Sequence, residues 1–322
     1  MMSLRIVFMG TPEFAVPSLK ALVRAGYEVV GVVCQPDRPR GRSGKLAPCE
    51  VKAAALELGL NVLQFERIRR QEGLDALRAL KPDLFVTAAY GQILSNKVLA
   101  IPPMGTVNVH ASLLPKYRGS APINRCIMAG ETVTGVTTMF TDRGVDTGDM
   151  LLRREVAILS GETAGELTLR LADVGAEVLI DTLSHLTAGT LVRIPQNEDE
   201  ATYQPMLTKE DGLIDWSKSA EEISALVRGV NPWPGAYTPY GGGVLKLWRA
   251  EPVVCPAEAE SAACGQVVTS DKRAGLIVRC GTGALSLTEL QLPGAKRLGV
   301  RDYLNGKPMP VGTVLGAEDK HD

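Results

Sequence analysis

Short apolar runs alternate with amphipathic stretches along the first half of the chain. Residues 4–9 are apolar apart from Arg5, and residues 14–25 carry their apolar side chains at helical spacing before Gly26. Both patterns then recur, with strand-like runs at 28–34, 84–88, 107–109 and 136–140 and helix-like runs at 51–58 and 74–80. This alternation predicts an α/β fold with a mainly parallel sheet and helices on both of its faces.

A capping box opens a long predicted helix near the middle of the chain. In Thr163-Ala-Gly-Glu166 the threonine hydroxyl and the glutamate carboxylate can each satisfy a free backbone N–H, and Gly189 is expected to end the helix. The next residues, 190–205, lack periodicity and contain Pro195 and a polar run. We interpret them as a linker, which leaves residues 1–189 as the N-terminal domain.

The pattern changes after this linker. Residues 220–230 form one more helical stretch. Short strand-like runs then follow at 244–248, 265–269, 275–280 and 284–290, separated by glycine, proline and aspartate. Several short strands joined by turn residues are typical of a small β-barrel. We therefore predict a β-barrel domain at 206–315, followed by a tail at 316–322.

Length and charge narrow the class of protein. A single core rarely grows beyond about 250–300 residues, so this chain of 322 residues is expected to form two domains. Its 35 basic and 36 acidic residues give a net charge of -1, which argues against a general DNA-coating protein but allows a local basic patch. No segment approaches the roughly 18 apolar residues that span a membrane, and the first apolar run is too short for a signal peptide. We expect a soluble, cytoplasmic protein.

The strongest candidate for chemistry lies at the end of a predicted strand, in Val107-Asn108-Val109-His110. Strand alternation places Asn108 and His110 on the same face of the sheet. In α/β proteins the reactive crevice lies at the carboxyl ends of the strands, where an amide and an imidazole could stabilise a developing oxyanion. The alternative is a pair of polar residues that merely satisfies the end of a strand.

Two loops after this strand could complete a site. Residues 111–122 contain two prolines and a glycine, so they can form a stiff loop that offers backbone groups to a ligand, or an ordinary connection. Residues 142–149 are acidic, and one of their carboxylates could polarise a histidine, although Asp, Gly and Thr are also common turn formers. This loop lacks the glutamate of a calcium loop, and no cysteine pair has C-x-x-C spacing, so no metal site is expected.

Two further segments bear on the ligand class. Gly10-Thr11-Pro12-Glu13-Phe14 follows the first strand, but the glycines of a dinucleotide fingerprint are absent, which argues against a nicotinamide oxidoreductase. Residues 38–45 hold four cations and no apolar side chain. Such a run is usually a solvated loop, and the alternative is a mobile arm that binds phosphates.

Several of these motifs occur together in one family. They are Gly10-Thr11-Pro12-Glu13-Phe14, Gln35-Pro36-Asp37-Arg38-Pro39, Asn108-Val109-His110-Ala111-Ser112-Leu113-Leu114-Pro115, Arg118-Gly119, Asp146-Thr147-Gly148-Asp149 and Asn231-Pro232-Trp233-Pro234-Gly235-Ala236. With them the chain resembles the methionyl-tRNA formyltransferases over about residues 4–315. It departs from the family at Cys49-Glu50, where a Ser-Pro pair is common, at Val145, where methionine is frequent, and at the variable loop positions Arg40 and Ser43.

The resemblance implies a Rossmann-like catalytic domain and an OB-like C-terminal barrel that binds tRNA. It also implies transfer of a formyl group from 10-formyltetrahydrofolate to the amine of initiator methionyl-tRNA, by a monomer and without a metal. The residues that it assigns are Asn108, His110 and Asp146 for catalysis, Ser112, Leu113, Leu114 and Pro115 for the folate site, and Arg38, Arg40, Arg42 and Lys45 for the tRNA.

Three other functions share some of these features. A formyltransferase acting on a sugar or nucleotide amine would keep the same three catalytic residues, but it would need neither the basic loop nor the barrel. A formyl-folate hydrolase would use the same donor with water as the acceptor. A tRNA-binding protein without catalytic activity would have no need of Asn108 and His110.

Overall fold

The computed structural model describes residues 4–40, 44–306 and 308–316. Arg42 lies outside the described residues, as do the side chains of Arg40 and Lys45. The chain divides into two compact units. The first comprises the chain up to Pro122 together with Val133–Ala157 and Thr168–Gln204, and the second comprises Ile123–Thr132, Ile158–Leu167 and the chain from Pro205 onward.

The first unit is built on a seven-stranded sheet. In chain order its strands and helices are β1 (Arg5–Gly10), α1 (Val16–Arg24), β2 (Glu28–Cys34), β3 (Arg38–Arg40), β4 (Lys45–Ala47), α2 (Glu50–Glu57), β5 (Val62–Gln64), α3 (Gln71–Ala79), β6 (Leu84–Ala88), α4 (Asn96–Leu99), β7 (Thr106–His110), β8 (Arg118–Gly119), α5 (Pro122–Met128), β9 (Val133–Phe140), β10 (Met150–Ala157), α6 (Ala164–Ala188) and β11 (Tyr203–Gln204). Helices α5 and α6 each contribute residues to both units.

The strand order is β10-β9-β7-β6-β1-β2-β5, and every pairing is parallel except those that β9 makes with β7 and β10. This confirms the predicted mainly parallel sheet. Two small pairs lie outside it: an antiparallel hairpin of β3 and β4, and a parallel pair of β8 and β11. The second pair joins the loop after β7 to the end of the segment that we interpreted as a linker.

Burial explains why the central strands are continuously apolar. Every residue of β6 is buried, and the four residues of β1 from Ile6 to Met9 are fully buried, because both faces of the sheet are covered. Gly10 ends β1 where the chain turns sharply. A Cβ atom at this position would lie 2.7 Å from the Cβ of Ala15, so only glycine permits the close approach.

The second unit is mainly β. After α7 (Ala220–Gly229) it contains β12 (Ala236–Tyr240), β13 (Gly243–Val253), β14 (Val267–Asp271), β15 (Gly275–Arg279), β16 (Ala284–Gln291), β17 (Arg297–Gly299) and α8 (Val300–Asn305). The sheet order is β12-β13-β16-β15-β14, with β17 on β16, and all of these pairings are antiparallel. The predicted C-terminal β domain is therefore confirmed, and its OB-like character stays a prediction.

The predicted capping box forms at the start of α6. The Glu166 carboxylate accepts hydrogen bonds from the backbone N–H of Thr163 at 2.8 Å and from its hydroxyl at 2.8 Å, and the Thr163 hydroxyl accepts from the N–H of Glu166 at 3.3 Å. These bonds to Thr163, helped by the guanidinium of Arg249, lower the pKa of Glu166 to about 2. The charged carboxylate therefore stabilises the folded state.

The depressed pKa of Glu166 predicts a pH-dependent contribution to stability. We expect Glu166→Gln to reduce the free energy of unfolding by about 1 kcal/mol at pH 7, since the half-exposed carboxylate is screened by solvent. Because a group with a lowered pKa stabilises fully above its unfolded pKa and loses that contribution down to its folded pKa, the deficit should shrink as the pH falls from about 4.5 towards 2. Urea denaturation at pH 7 and pH 3 measures this deficit in the free energy of unfolding. Glu177→Gln in α6 is the control for the loss of a charge. An equal deficit at both pH values would contradict the stabilising role of the Glu166 carboxylate.

Candidate active site

Asn108 is held by the neighbouring strand at the carboxyl end of the sheet. It pairs in register with Thr87 of β6, and its Oδ1 accepts a hydrogen bond from the Thr87 hydroxyl at 2.7 Å. That bond fixes the orientation of the amide, with its oxygen towards β6. Among the described residues the structure records no partner for the amide nitrogen, so its two hydrogens are available to an acceptor.

His110 ends β7 and is 6% exposed. Its Nε2 lies 3.0 Å from the backbone oxygen of Tyr117, and its Nδ1 lies 3.6 Å from Oδ2 of Asp146. A carbonyl oxygen can only accept, so Nε2 must carry the hydrogen of that bond. A donor on the Asp146 side would require a second hydrogen, on Nδ1.

Asp146 lies in the acidic loop between β9 and β10. Its Oδ2 accepts from the backbone N–H of Gly119 at 2.9 Å, and its φ angle of 55° is in the left-handed region, which non-glycine residues seldom occupy. Asp142 plays a different part, because its Oδ1 accepts from the N–H of Gly144 and from the hydroxyl of Thr147. One carboxylate of the loop thus faces the histidine while another forms the turn.

The three residues of the predicted catalytic set therefore converge. His110 lies two positions after Asn108 on β7, and Asp146 approaches the ring of His110 from the loop after β9. The segment from Tyr117 to Gly119 touches both members of the His–Asp pair, through the oxygen of Tyr117 and the N–H of Gly119. An oxyanion beside this group would meet an amide donor and an imidazole that has a carboxylate beside it.

The residues predicted to line the folate site are mostly buried. The Ser112 hydroxyl donates to the backbone oxygen of Lys116 at 2.7 Å, and Leu114 is fully buried against Met139 and Met150. Pro115 is buried as well, and Leu113 is half-buried. The polar side chain of this set is thus used within the protein, which leaves backbone groups and apolar surface as the means of contact with a ligand.

The basic segment begins as a hairpin. Arg38 in β3 is exposed and forms an ion pair with Glu66 at 2.6 Å, while the backbones of Arg40 and Lys45 face each other across the β3–β4 turn. Asp37, just before the hairpin, binds Lys52 at 2.6 Å and also accepts from Gln64. These two bonds lower the pKa of Asp37, the lysine having the larger effect.

The sequence did not single out two side chains beside the site. Gln196 and Arg118 hydrogen-bond to each other, and Gln196 also binds the backbone of the Asp146 loop. Arg118 was noted only as part of a motif, and Gln196 lies in the stretch that we interpreted as a linker. Arginine is rarely buried completely, so the full burial of Arg118 is the signal that points to these two residues, and it is visible only in the structure.

Two kinds of feature are absent from the residues that the structure describes. In the described part of the chain no group of three or more His, Cys, Asp and Glu side chains is placed so that it could hold a metal ion. Across the same residues, no helix has the length and apolar character needed to cross a membrane.

Both units match known family models. Residues 4–183 match the formyl transferase family, and residues 206–308 match the formyl transferase C-terminal domain. Among solved structures, the sugar 3N-formyl transferase WlaRD, crystallised with dTDP and 5-N-formyl-THF, has a TM-score of 0.65 at 17% identity and covers 92% of this chain and 99% of its own. HypX from Aquifex aeolicus in complex with tetrahydrofolic acid has a TM-score of 0.60 at 18% identity and covers 94% and 47%. At these identities the likeness concerns the fold.

Curated relatives are much closer in sequence. The methionyl-tRNA formyltransferase of Ruminiclostridium cellulolyticum is 51% identical over 97% of this chain and 100% of its own length. The enzyme of the same name from Geobacter sulfurreducens is 48% identical, with 98% of each chain covered. Identity at this level along both units, on a fold that carries the two formyl transferase domains, confirms the resemblance: the chain belongs to the methionyl-tRNA formyltransferase family.

Proposed function

We propose that this chain transfers the formyl group of 10-formyltetrahydrofolate to the free amine of methionyl initiator tRNA, giving formylmethionyl-tRNA for translation initiation. The observation that carries the proposal is the identity of about half of all residues with enzymes of that name, over nearly the full length of both chains. The arrangement of Asn108, His110 and Asp146 supports the chemistry, because it offers donors to an oxyanion.

In the proposed reaction the amine of methionyl-tRNA attacks the formyl carbon of the donor, and the formyl oxygen becomes a tetrahedral oxyanion. The amide nitrogen of Asn108 donates one hydrogen bond to it, and the Nδ1 side of His110 donates another. Asp146, 3.6 Å from that nitrogen, balances the charge of the imidazolium. As the C–N bond to the folate breaks, Nδ1 of His110 gives its hydrogen to the folate nitrogen, and the proton that leaves the attacking nitrogen takes its place on Nδ1.

The remaining assignments follow from the same proposal. Ser112, Leu113, Leu114 and Pro115 line the folate site, and Arg38, Arg40, Arg42 and Lys45 contact the tRNA. Residues 1–189 form the catalytic domain, 190–205 connect it to a tRNA-binding domain at 206–315, and the protein works as a monomer in the cytoplasm. What separates this proposal from a sugar formyltransferase is the identity of about half of all residues with the tRNA enzymes, because the sugar enzyme WlaRD matches the fold over 92% of this chain at only 17% identity.

The acceptor is tested by comparing formyl transfer to charged initiator tRNA, charged elongator tRNA and glycinamide ribonucleotide at equal donor concentration. The proposal expects turnover with the initiator tRNA to exceed that with both others. Water as the acceptor is checked in the same assay by the release of formate without any amine. Comparable rates with the small amine, or formate release alone, would overturn the proposal.

Removing one oxyanion donor should slow the reaction without unfolding the site. We expect Asn108→Ala to lower kcat by roughly 10²–10³-fold, because a preorganised donor is lost. Asn108→Asp should be as severe although it keeps the acceptor for Thr87, since a carboxylate cannot donate. His110→Ala should be at least as severe as either. Steady-state kinetics at saturating folate donor measure the loss, and near-normal turnover in any of the three variants would show that the set is misassigned.

Asp146→Asn isolates the charge beside His110. The amide oxygen can still accept from the N–H of Gly119, while the charge that balances the imidazolium disappears. We expect kcat to fall by at least about 10²-fold while folate affinity is largely retained. Fluorescence titration with the folate donor and single-turnover kinetics separate the two effects. Loss of affinity with normal turnover at saturation would make Asp146 a binding group instead.

Arg42 is expected to act on the tRNA alone. Arg42→Ala should weaken productive use of tRNA, leave folate binding unchanged and reduce the log–log salt dependence of tRNA affinity by roughly one unit. Its loss should affect initiator tRNA more than a generic RNA, because a guanidinium can also stack on an opened base. Arg24→Ala in α1 is the matched control, because among the described residues its side chain bonds only to the backbone of its own helix. An unchanged salt slope together with unchanged initiator preference would reduce this segment to a solvated loop.

A further inference from the structure

We infer that Gln196 is a positioning residue for the His110–Asp146 pair and that Arg118 and Glu198 hold it in place. We call these three residues, Gln196, Arg118 and Glu198, the strut. The inference rests on the proposed catalytic role of the pair, and it assigns a function to a segment that the sequence presents as a linker.

Both polar atoms of the Gln196 side chain are hydrogen-bonded. Its amide nitrogen donates to the backbone oxygen of Asp146 at 2.8 Å and to that of Gly148 at 2.7 Å, and its oxygen accepts from Nε of Arg118 at 3.0 Å. An amide has two N–H donors and an acceptor on one carbon, so it can bind two carbonyls and a guanidinium together. A glutamate of the same shape would turn an oxygen towards both carbonyls and could not replace it.

These bonds hold the backbone of the loop at Asp146. Asp146 is in the left-handed conformation, which has to be held by its surroundings. The loop is also tight at Gly148, where a Cβ atom would lie 1.9 Å from the backbone oxygen of Phe140. Gln196 bridges the carbonyls on either side of Thr147, and Gly119 holds the Asp146 carboxylate, so the carboxylate cannot swing away from His110 without breaking one of these contacts.

Arg118 links the side chain of Gln196 to the segment whose residue Tyr117 contacts Nε2 of His110. Its guanidinium is fully buried, and it binds both carboxylate oxygens of Glu198, at 2.8 and 2.9 Å, and the hydroxyl of Tyr203 at 2.8 Å. Its neighbours in the chain, Tyr117 and Gly119, are the residues whose backbones contact His110 and Asp146. A bidentate arginine–carboxylate pair has a rigid geometry, so the strut holds both contacts in one frame.

The strut does not touch the site of reaction, so its effect should appear in kcat and be transmitted through Asp146. We expect Gln196→Glu to lower kcat by roughly 10–10²-fold, as small displacements of catalytic groups do, with the KM values for donor and tRNA changed by less than about 2-fold. The control is Asn197→Asp, the same chemical change one residue along, at a side chain whose hydrogen bonds to described residues stay within 197–200. It should retain wild-type kcat.

A double-mutant cycle shows whether the effect passes through Asp146. In the Asp146→Asn background, Gln196→Glu should cost less than about 3-fold, because coupled residues are not additive. Nitrogen-15 NMR of labelled histidine gives a second readout that a purely structural role would not change. The Nδ1 resonance of His110 should shift in Gln196→Glu and stay in place in Asn197→Asp, with His185 and His321 as internal references. Gln196→Met repeats every measurement should the glutamate variant fail to fold.

The outcomes separate this inference from the proposal on which it rests. If Asp146→Asn keeps wild-type turnover, the catalytic assignment fails, whatever Gln196→Glu does. If Asp146→Asn is severe but Gln196→Glu and Gln196→Met keep wild-type kcat and the wild-type His110 resonance, Gln196 is not a positioning residue. Full additivity of the two substitutions would likewise overturn the inference.

Discussion

A buried positive charge imposes the constraint around which this site is organised. The side chain of Arg118, on β8, is fully buried, and leaving a buried charge without its partner costs about 3–5 kcal/mol. Glu198 supplies the counter-charge, and its bond raises the pKa of Arg118 while the pKa of Glu198 is lowered in turn. The chain after α6 must therefore return to the loop after β7. That return brings Gln196 to the loop that carries Asp146. It also holds the backbone on either side of Arg118, where Tyr117 contacts His110 and Gly119 contacts Asp146.

Two residues in an unfavourable backbone conformation lie next to this network. Tyr117 and Asp146 both have positive φ angles, of 59° and 55°, although neither is a glycine. Each is held by hydrogen bonds on both sides: the N–H of Tyr117 donates to the hydroxyl of Thr202 and its oxygen faces His110, while Asp146 is held by Gly119 and Gln196. Strain of this kind persists only where the surroundings over-determine it. Two of these contacts, those of Thr202 and Gln196, come from the segment between Gln196 and Gln204. That segment therefore helps to position the oxygen of Tyr117 and the carboxylate of Asp146, which flank the imidazole.

The sequence predicted the scaffold well because its pattern is local. Strands such as β1 and β6 are buried on both faces and read as apolar runs with a single polar residue each, Arg5 and Thr87, and the capping box at Thr163 and Glu166 forms as its spacing indicates. The pairing of Asn108 with His110 at one strand end followed from the period of two in a strand. The strands β8 and β11 were not predicted, because two residues each are too few to show any period. The resemblance to a family supplied Asp146, which the acidic loop alone could not distinguish from Asp142.

The strut marks the kind of structure that periodicity cannot reveal. Its contacts join residues 48 to 80 positions apart, and each is made by a polar side chain to a backbone oxygen or to another polar side chain. Polar composition, a proline and missing periodicity are equally typical of a flexible linker and of a segment fixed by such bonds. What distinguishes the fixed segment from the flexible linker is whether a buried charge elsewhere in the fold has to be paired with one of its residues. In this chain Arg118 does, and a stretch with the composition of a connector therefore supports the loop that carries Asp146.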